Sequence, residues 1–100
     1  MAAWGSPREV ETRRRIRLAV WAYAYEYLDV SLVSDERFDD EAKLVDLSIS
    51  TGNRRLDAYF RKHFAAFTGQ WVTKHPDLKR LDHLTRRIIA EQGKAHLICE

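Results

Sequence analysis

The chain contains a single cysteine, so it forms no internal disulfide, and the disulfide-stapled scaffolds of small secreted proteins are excluded. It also lacks a long apolar stretch: no run approaches the roughly 20 residues that a membrane-spanning helix needs. Residues 1–15 show neither the apolar segment nor the cleavage site of a secretory signal. We therefore expect a cytoplasmic protein with no membrane partner.

Glycine and proline are scarce as well, with four and two copies, and they stand where helices are expected to begin or end. The sequence has no internal repeat, no low-complexity segment and no glycine-rich loop that could cradle a phosphate. One hundred residues, 45% of them apolar, suffice for one domain with a modest core. We expect one helical domain over residues 1–100, with frayed ends at 1–5 and 94–100.

An excess of charge is also missing, since the net charge of +2 is too small to imply a nucleic-acid partner by itself. The charges are nevertheless unevenly distributed. Segment 26–46 has eight acidic residues against two basic ones, Arg37 and Lys43, which leaves it near −6 and the rest of the chain near +8. The basic remainder includes four adjacent pairs: Arg54-Arg55, Arg61-Lys62, Lys79-Arg80 and Arg86-Arg87.

Aromatic residues alternate in the segment 21–27 (WAYAYEY), a spacing that fits one face of a β-strand. The context favours a helix instead. Ser6 to Glu9 has the pattern of a capping box with Pro7 at the first helical position, and no glycine or proline follows before Leu28. On a helix the four rings spread around the cylinder, so we predict a central first helix that is packed on more than one side.

Two further helices are predicted in the middle of the chain. Ser34 has the character of an N-cap for a second helix that ends near Leu47. The apolar residues of segment 56–67 recur with helical spacing, and Gly69 is placed to end that third helix.

The fourth helix is predicted after a connector at 69–76. Pro76 and Asp77 mark its start, leucines and isoleucines form its apolar stripe, and Gly93 is expected to end it. The predicted fold class is therefore all-α, as a compact four-helix domain whose first helix is central.

The segment 23–39 (YAYEYLDVSLVSDERFD) resembles the small N-terminal helical domain, called Ia, of NAD-dependent DNA ligases. That family carries aromatic residues on one helix and, after a short loop, an Asp-x-Glu-Tyr-Asp pattern that opens the next helix. The resemblance implies a site for nicotinamide mononucleotide (NMN), the NMN half of NAD. Its residues in this chain would be Tyr25, Asp35, Phe38 and Asp39.

The chain also departs from the ligase pattern. Glu26 stands where the family has a histidine, Phe38 lacks the hydroxyl of the family's tyrosine, and Arg37 replaces a glutamate. The Lys-x-Asp-Gly motif of ligase catalysis is missing, and the chain is too short for the nucleotidyltransferase domain that carries it. We therefore expect no enzymatic activity and no catalytic residues.

The favoured interpretation is a non-catalytic interaction module that docks onto another protein. The pattern is similar to that of free-standing small phage and prophage proteins, which implies an accessory factor that binds, and could inhibit, a host or phage protein such as a defence or replication factor. An acidic ridge could imitate nucleic-acid phosphates toward a basic groove. The residues predicted to bind the partner are Asp35, Glu36, Asp39, Asp40, Glu41, Arg54 and Arg55.

Two alternatives remain open from the sequence. One is a module that binds NMN or NAD, derived from the ligase domain. The other is a nucleic-acid binder that uses the arginine pairs together with Arg13–Arg17 (RRRIR), whose affinity would fall with salt. A homodimer would also account for the apolar first helix.

Plainer structural roles compete with each functional interpretation. The aromatic residues of segment 21–27 suit a core or an interface, and acidic residues at a helix start favour the helix dipole. The histidines have no compact metal-binding spacing, so no metal site is expected. Cys99, near the end of the chain, is not expected to be a tuned nucleophile.

Overall fold

A computed structural model describes residues 5–92. Its four α-helices are α1 (Pro7–Leu28), α2 (Asp35–Ala42), α3 (Arg54–His63) and α4 (Leu78–Glu91), and a 3-10 helix spans Gln70–Lys74. The described residues contain no strand, so the predicted all-α class is confirmed. The expected frayed ends, the stop at Gly93 and the tail cysteine lie outside the described residues, apart from position 5.

The first helix begins and ends as its local sequence dictates. Ser6 accepts a hydrogen bond from the Glu9 backbone N–H at 3.3 Å, and Glu9 accepts one from the Ser6 N–H at 3.1 Å, which completes the capping box. Asp29 ends the helix in a left-handed conformation with φ of 56°, and the Val30 N–H then donates to the Ala24 carbonyl at 2.9 Å. The alternating aromatics of segment 21–27 therefore lie on a helix.

Helix α1 is the centre of the domain, as predicted. It packs against α2, the 3-10 helix and α4. Its own buried apolar residues point in several directions, because the neighbours cover it on several sides. They are Leu18, Ala19, Val20, Ala22, Tyr23, Ala24 and Leu28.

Helix α2 ends at Ala42, so the predicted extension to Leu47 is wrong. The chain turns at 43–44 because polar groups of α1 hold the segment that follows. The Asp46 N–H donates to Glu11 Oε2 at 3.1 Å, and Arg15 donates to the carbonyls of Asp46 and Ile49 at 2.8 and 3.0 Å. The bond from the Asp46 N–H takes a donor that a helix continuing to Leu47 would have paired internally.

Helix α3 ends at His63, earlier than the apolar stripe predicted. Phe64 adopts an extended conformation, and its ring lies 5.2 Å from that of Trp71. Phe67, predicted to continue the buried stripe, is 90% exposed. The predicted connector contains the 3-10 helix, whose Trp71 and Val72 are buried, because the rings of α3 pack on Trp71 rather than on a further helical turn.

Helix α4 follows the predicted start signal. Asp77 caps it by accepting a hydrogen bond from the Arg80 N–H, and its buried stripe is Leu81, Thr85 and Ile89. The Tyr23 hydroxyl donates to Asp82 at 2.6 Å, which ties α4 to α1. No helix in residues 5–92 combines the length and the apolar character that a membrane span requires.

A buried ion network joins α1 to α3. Arg15 donates to Glu11 at 2.8 Å and to Asp57 at 3.0 Å, and its guanidinium lies 5.4 Å from the centre of the Phe60 ring. All three charged residues are at least 95% buried. Burial acts to raise the pKa of Asp57, but hydrogen bonds from Thr51 and the charge of Arg15 lower it overall, which keeps the carboxylate ionised.

Candidate binding pocket

A cavity of about 390 Å³ lies where α1, α2 and two loops meet. The loops are segments 31–33, between the first two helices, and 67–69, between α3 and the 3-10 helix, whose first residue, Gln70, also lines the cavity. We call this cavity the aromatic–carboxylate pocket. Its lining consists of Trp21, Ala22, Tyr25, Glu26, Ser31, Leu32, Val33, Asp35, Phe38, Asp39, Phe67, Thr68, Gly69 and Gln70.

Helical spacing places the functional side chains of the pocket. Trp21 and Tyr25 are four residues apart on α1, and therefore share a face of that helix. Asp35 and Asp39 have the same spacing on α2, where Phe38 lies beside them. Ser34 fixes the start of α2, since its hydroxyl accepts a hydrogen bond from the Arg37 N–H at 3.1 Å.

The pocket has aromatic walls, and its mouth is aromatic as well. The ring centres of Trp21 and Phe38 are 6.4 Å apart with an interplanar angle of 55°, which joins α1 to α2. Tyr25 is 60% exposed and Phe67 is 90% exposed. Both are pocket residues, whereas Tyr27, which is 42% exposed, does not line the pocket.

The charged side chains that line the pocket are all acidic. Glu26 from α1 and Asp35 and Asp39 from α2 contribute carboxylates, and none of the described residues that line the pocket is basic. Arg37, which is not part of the lining, lies with its guanidinium 5.5 Å from the centre of the Trp21 ring. The arrangement can hold a cation between carboxylates and aromatic faces, but it offers no positive group to a phosphate.

Gly69 allows the pocket wall formed by segment 67–70 to lie close to α1. A Cβ atom at this position would lie 3.2 Å from the Cβ of Ala22 and 3.9 Å from Glu26 Oε2. The 67–70 segment therefore approaches the helix more closely than a larger residue would permit, and brings Thr68 and Gln70 to the pocket.

All four residues predicted for a cofactor site, Tyr25, Asp35, Phe38 and Asp39, line this pocket. The sequence did not indicate that Phe67, Gly69 and their neighbours would complete it. Phe67 was placed on the buried stripe of α3 because it continues the helical spacing, and no local signal shows that α3 ends earlier.

The residues predicted to bind a partner divide into three groups. Asp35, Glu36, Asp39 and Asp40 are exposed on α2, and two of them line the pocket. Glu41 is held by ion pairs with Arg14 and Arg17. Burial acts to raise the pKa of Glu41, whereas the hydrogen bond and charge of Arg17, aided by Arg14, lower it overall.

Arg54 and Arg55 begin α3 and do not line the aromatic–carboxylate pocket. Arg55 donates to the Pro76 carbonyl and lines a second groove of about 400 Å³ between α1, α3 and the start of α4. His75 also lines that groove. Burial lowers its pKa, and its Nδ1 accepts a hydrogen bond from the Asp77 N–H at 2.9 Å, so this imidazole is neutral at pH 7.

Three arginines of segment 13–17 form ion pairs within the protein, while the nucleic-acid interpretation stays a prediction. Arg15 is buried in the ion network, and Arg14 and Arg17 bind Glu41. In the basic pairs of α4, Arg80 and Arg87 lie within ion-pair distance of Asp77 and Glu91. The pairs of α4 are exposed at the surface, unlike the buried pairs of Arg15.

The described residues contain no group of histidine, cysteine and carboxylate side chains that could hold a metal ion. The chain was also compared with protein-family models, with curated proteins and with solved structures. None of the three comparisons finds a match. A functional assignment therefore depends on the chemistry of the pocket.

Proposed function

We propose that this chain is a non-catalytic interaction module that docks onto another protein through the aromatic–carboxylate pocket and the adjoining acidic face of α2. The observation that carries the proposal is Phe67, 90% exposed at a pocket that also contains exposed Tyr25. Large aromatic side chains are costly to leave in water and are enriched at the centres of protein interfaces.

The charges of α2 support a protein partner with a basic surface. Within residues 5–92, the carboxylates of Asp35, Glu36, Asp39 and Asp40 take part in no ion pair, in contrast with the neighbouring Glu41. An unpaired acidic row next to an aromatic pocket is complementary to a basic surface and would speed association with it. The similarity to small phage proteins extends the proposal to a host or phage factor, which this docking could inhibit.

The proposal is tested by charge reversal on α2. We expect Asp39→Lys to abolish capture of a partner from cell extract, since it places a cation in the pocket. The matched control is Glu91→Lys, an exposed acid at the far end of α4, which should leave capture intact. Capture of the same proteins by the wild type and by both variants would place the interface elsewhere.

A nicotinamide nucleotide is a second candidate ligand, because the four residues that the ligase resemblance selects line one cavity. Its pyridinium ring could stack on the aromatic walls, and the carboxylates could accept hydrogen bonds from ribose hydroxyls. Calorimetry with NMN and NAD tests this candidate. Heat that is lost in Tyr25→Ala would support it, and no heat at millimolar ligand would remove it.

A further inference from the structure

We infer that the aromatic–carboxylate pocket receives an arginine side chain of the docked protein. This inference rests on the proposed docking function and names the group that the pocket recognises. It follows from the charge of the lining, the shape of the walls and a guanidinium site elsewhere in the same molecule.

The charge of the pocket requires a cation. When a partner covers the pocket, the carboxylates of Glu26, Asp35 and Asp39 lose water, and an unpaired carboxylate in such a place is strongly unfavourable. The described lining supplies no basic side chain of its own. Arg37 lies over Trp21 outside the lining, so a countercharge inside the pocket would come from the occupant.

The walls favour guanidinium over ammonium. A guanidinium is flat, is more weakly hydrated than an ammonium, stacks on aromatic faces and donates in a fork that matches carboxylates. Trp21 is already covered by the Arg37 guanidinium, 5.5 Å from its ring centre, so the faces open to an occupant are those of the exposed Tyr25 and Phe67. The cavity of about 390 Å³ exceeds the volume of one side chain, so an apolar neighbour of the arginine can pack beside Leu32 and Phe67.

The buried ion network shows how this protein binds a guanidinium. Arg15 is held by two carboxylates, Glu11 and Asp57, and its charge lies 5.4 Å from the centre of the Phe60 ring. The aromatic–carboxylate pocket presents the same partners, carboxylates and aromatic rings, to the outside of the molecule. There the guanidinium of a second protein would take the place that Arg15 takes inside.

The experiment compares three capped tripeptides, acetyl-Leu-X-Leu-amide, in which X is arginine, lysine or citrulline. Citrulline has nearly the shape of arginine and no charge. Binding is followed by NMR through the indole N–H of Trp21 and the amide of Gly69. We expect the arginine peptide to bind about tenfold more tightly than the citrulline peptide, the usual difference for a charge-assisted hydrogen bond, with lysine between them.

Two variants of α2 provide the matched control. Asp39→Asn removes a pocket charge at constant shape, and we expect it to weaken the arginine peptide severalfold. Asp40→Asn removes the adjacent charge, which does not line the pocket, and should have little effect. Equal binding of arginine and citrulline, equal effects of the two variants, or no binding of any peptide would overturn the inference.

The outcomes separate this inference from the proposed function. If Asp39→Lys abolishes capture but the arginine peptide does not bind, the proposed docking surface would be supported. The inference that the pocket receives an arginine would be rejected. Displacement of the arginine peptide by NMN, with tighter binding of NMN, would also overturn the inference and favour the nucleotide.

Discussion

At the scale of the residue, Arg15 does more for the fold than its position in an arginine-rich run suggests. Its guanidinium neutralises two buried carboxylates and donates to two carbonyls of the loop that follows α2. Removing one member of a buried ion pair leaves uncompensated charge, which costs about 3–5 kcal/mol. A domain of this size has about 5–15 kcal/mol of total stability, so the loss is a large share.

We therefore expect Arg15→Met to lower the free energy of unfolding by about 3–5 kcal/mol in urea titrations. Arg17→Met is the control, because the Arg17 side chain is 42% exposed and forms an ion pair with Glu41 alone among the described acids. Glu41 keeps Arg14 as an ion-pair partner in this variant, so we expect a smaller loss than in Arg15→Met. Similar losses in both variants would contradict the assignment of Arg15 as the centre of the network.

At the scale of the element, the sequence was informative wherever the determinants are local. The Ser6 and Ser34 caps and the start of α4 at Asp77 depend on residues within one turn, and all three were predicted correctly. The end of α2 depends on a distant contact, because Arg15 binds the Asp46 carbonyl from 31 residues away. The end of α3 depends on the packing of Phe64 against Trp71, which follows from the turn between them and not from helical spacing.

The pocket shows the same division. Its α1 and α2 walls lie close together in the sequence, and the resemblance to the ligase domain selected Tyr25, Asp35, Phe38 and Asp39, which line the pocket. The wall formed by residues 67–70 lies in a region that the sequence predicted as the end of α3 and its stop at Gly69, whereas α3 ends at His63. Phe67 could not be assigned to the pocket, because its spacing is that of a buried helical residue.

The close approach of segment 67–70 to α1 gives a prediction at this scale. Gly69→Ala would place its Cβ 3.2 Å from the Cβ of Ala22, without backbone strain, since the φ of Gly69 is −100°. We expect a loss of about 1 kcal/mol in the free energy of unfolding, at the lower end of the cost of overpacking. Chemical shifts of the Trp21 indole should move as the wall is displaced.

Ala22→Gly tests the origin of that loss. The glycine alone should destabilise α1 by about 1 kcal/mol through helix propensity. In the double variant, the space released at position 22 should accept the new methyl group. The loss of unfolding free energy in the double variant should therefore be smaller than the sum of the losses in the two single variants. Strict additivity in a double-mutant cycle would show that the two positions do not touch.

At the scale of the whole molecule, ionisable groups make stability depend on pH at both ends of the range. The hydrogen bond from Tyr23, opposed by burial and aided by Arg86, lowers the pKa of Asp82 below its ordinary value. Asp57 and Glu41 also have lowered pKa values. Their stabilisation is complete above the ordinary carboxyl range and is lost as pH falls through the lowered values, so unfolding in acid is expected below about pH 4.

The alkaline limit depends on the tyrosines. Burial, with the hydrogen bond to Asp82, raises the pKa of Tyr23 to about 12, and burial also raises the pKa of Tyr59. A neutral tyrosine that is favoured in the folded state binds its proton more tightly there. Its stabilisation is therefore complete below about pH 10 and is lost as pH rises toward about 12.

Urea midpoints between pH 9 and 12 can assign this alkaline loss to the α1–α4 contact. We expect Tyr23→Phe to be less stable than the wild type at pH 8, because Asp82 loses its hydrogen-bond donor. Between pH 8 and 11.5, the stability of this variant should fall by less than that of the wild type. Tyr25→Phe is the control: the 60% exposed Tyr25 has no hydrogen-bond partner within residues 5–92, so its curve should follow the wild type. If Tyr23→Phe also follows the wild-type curve, Tyr59 would carry the alkaline transition, and the Tyr23–Asp82 bond would not contribute to it.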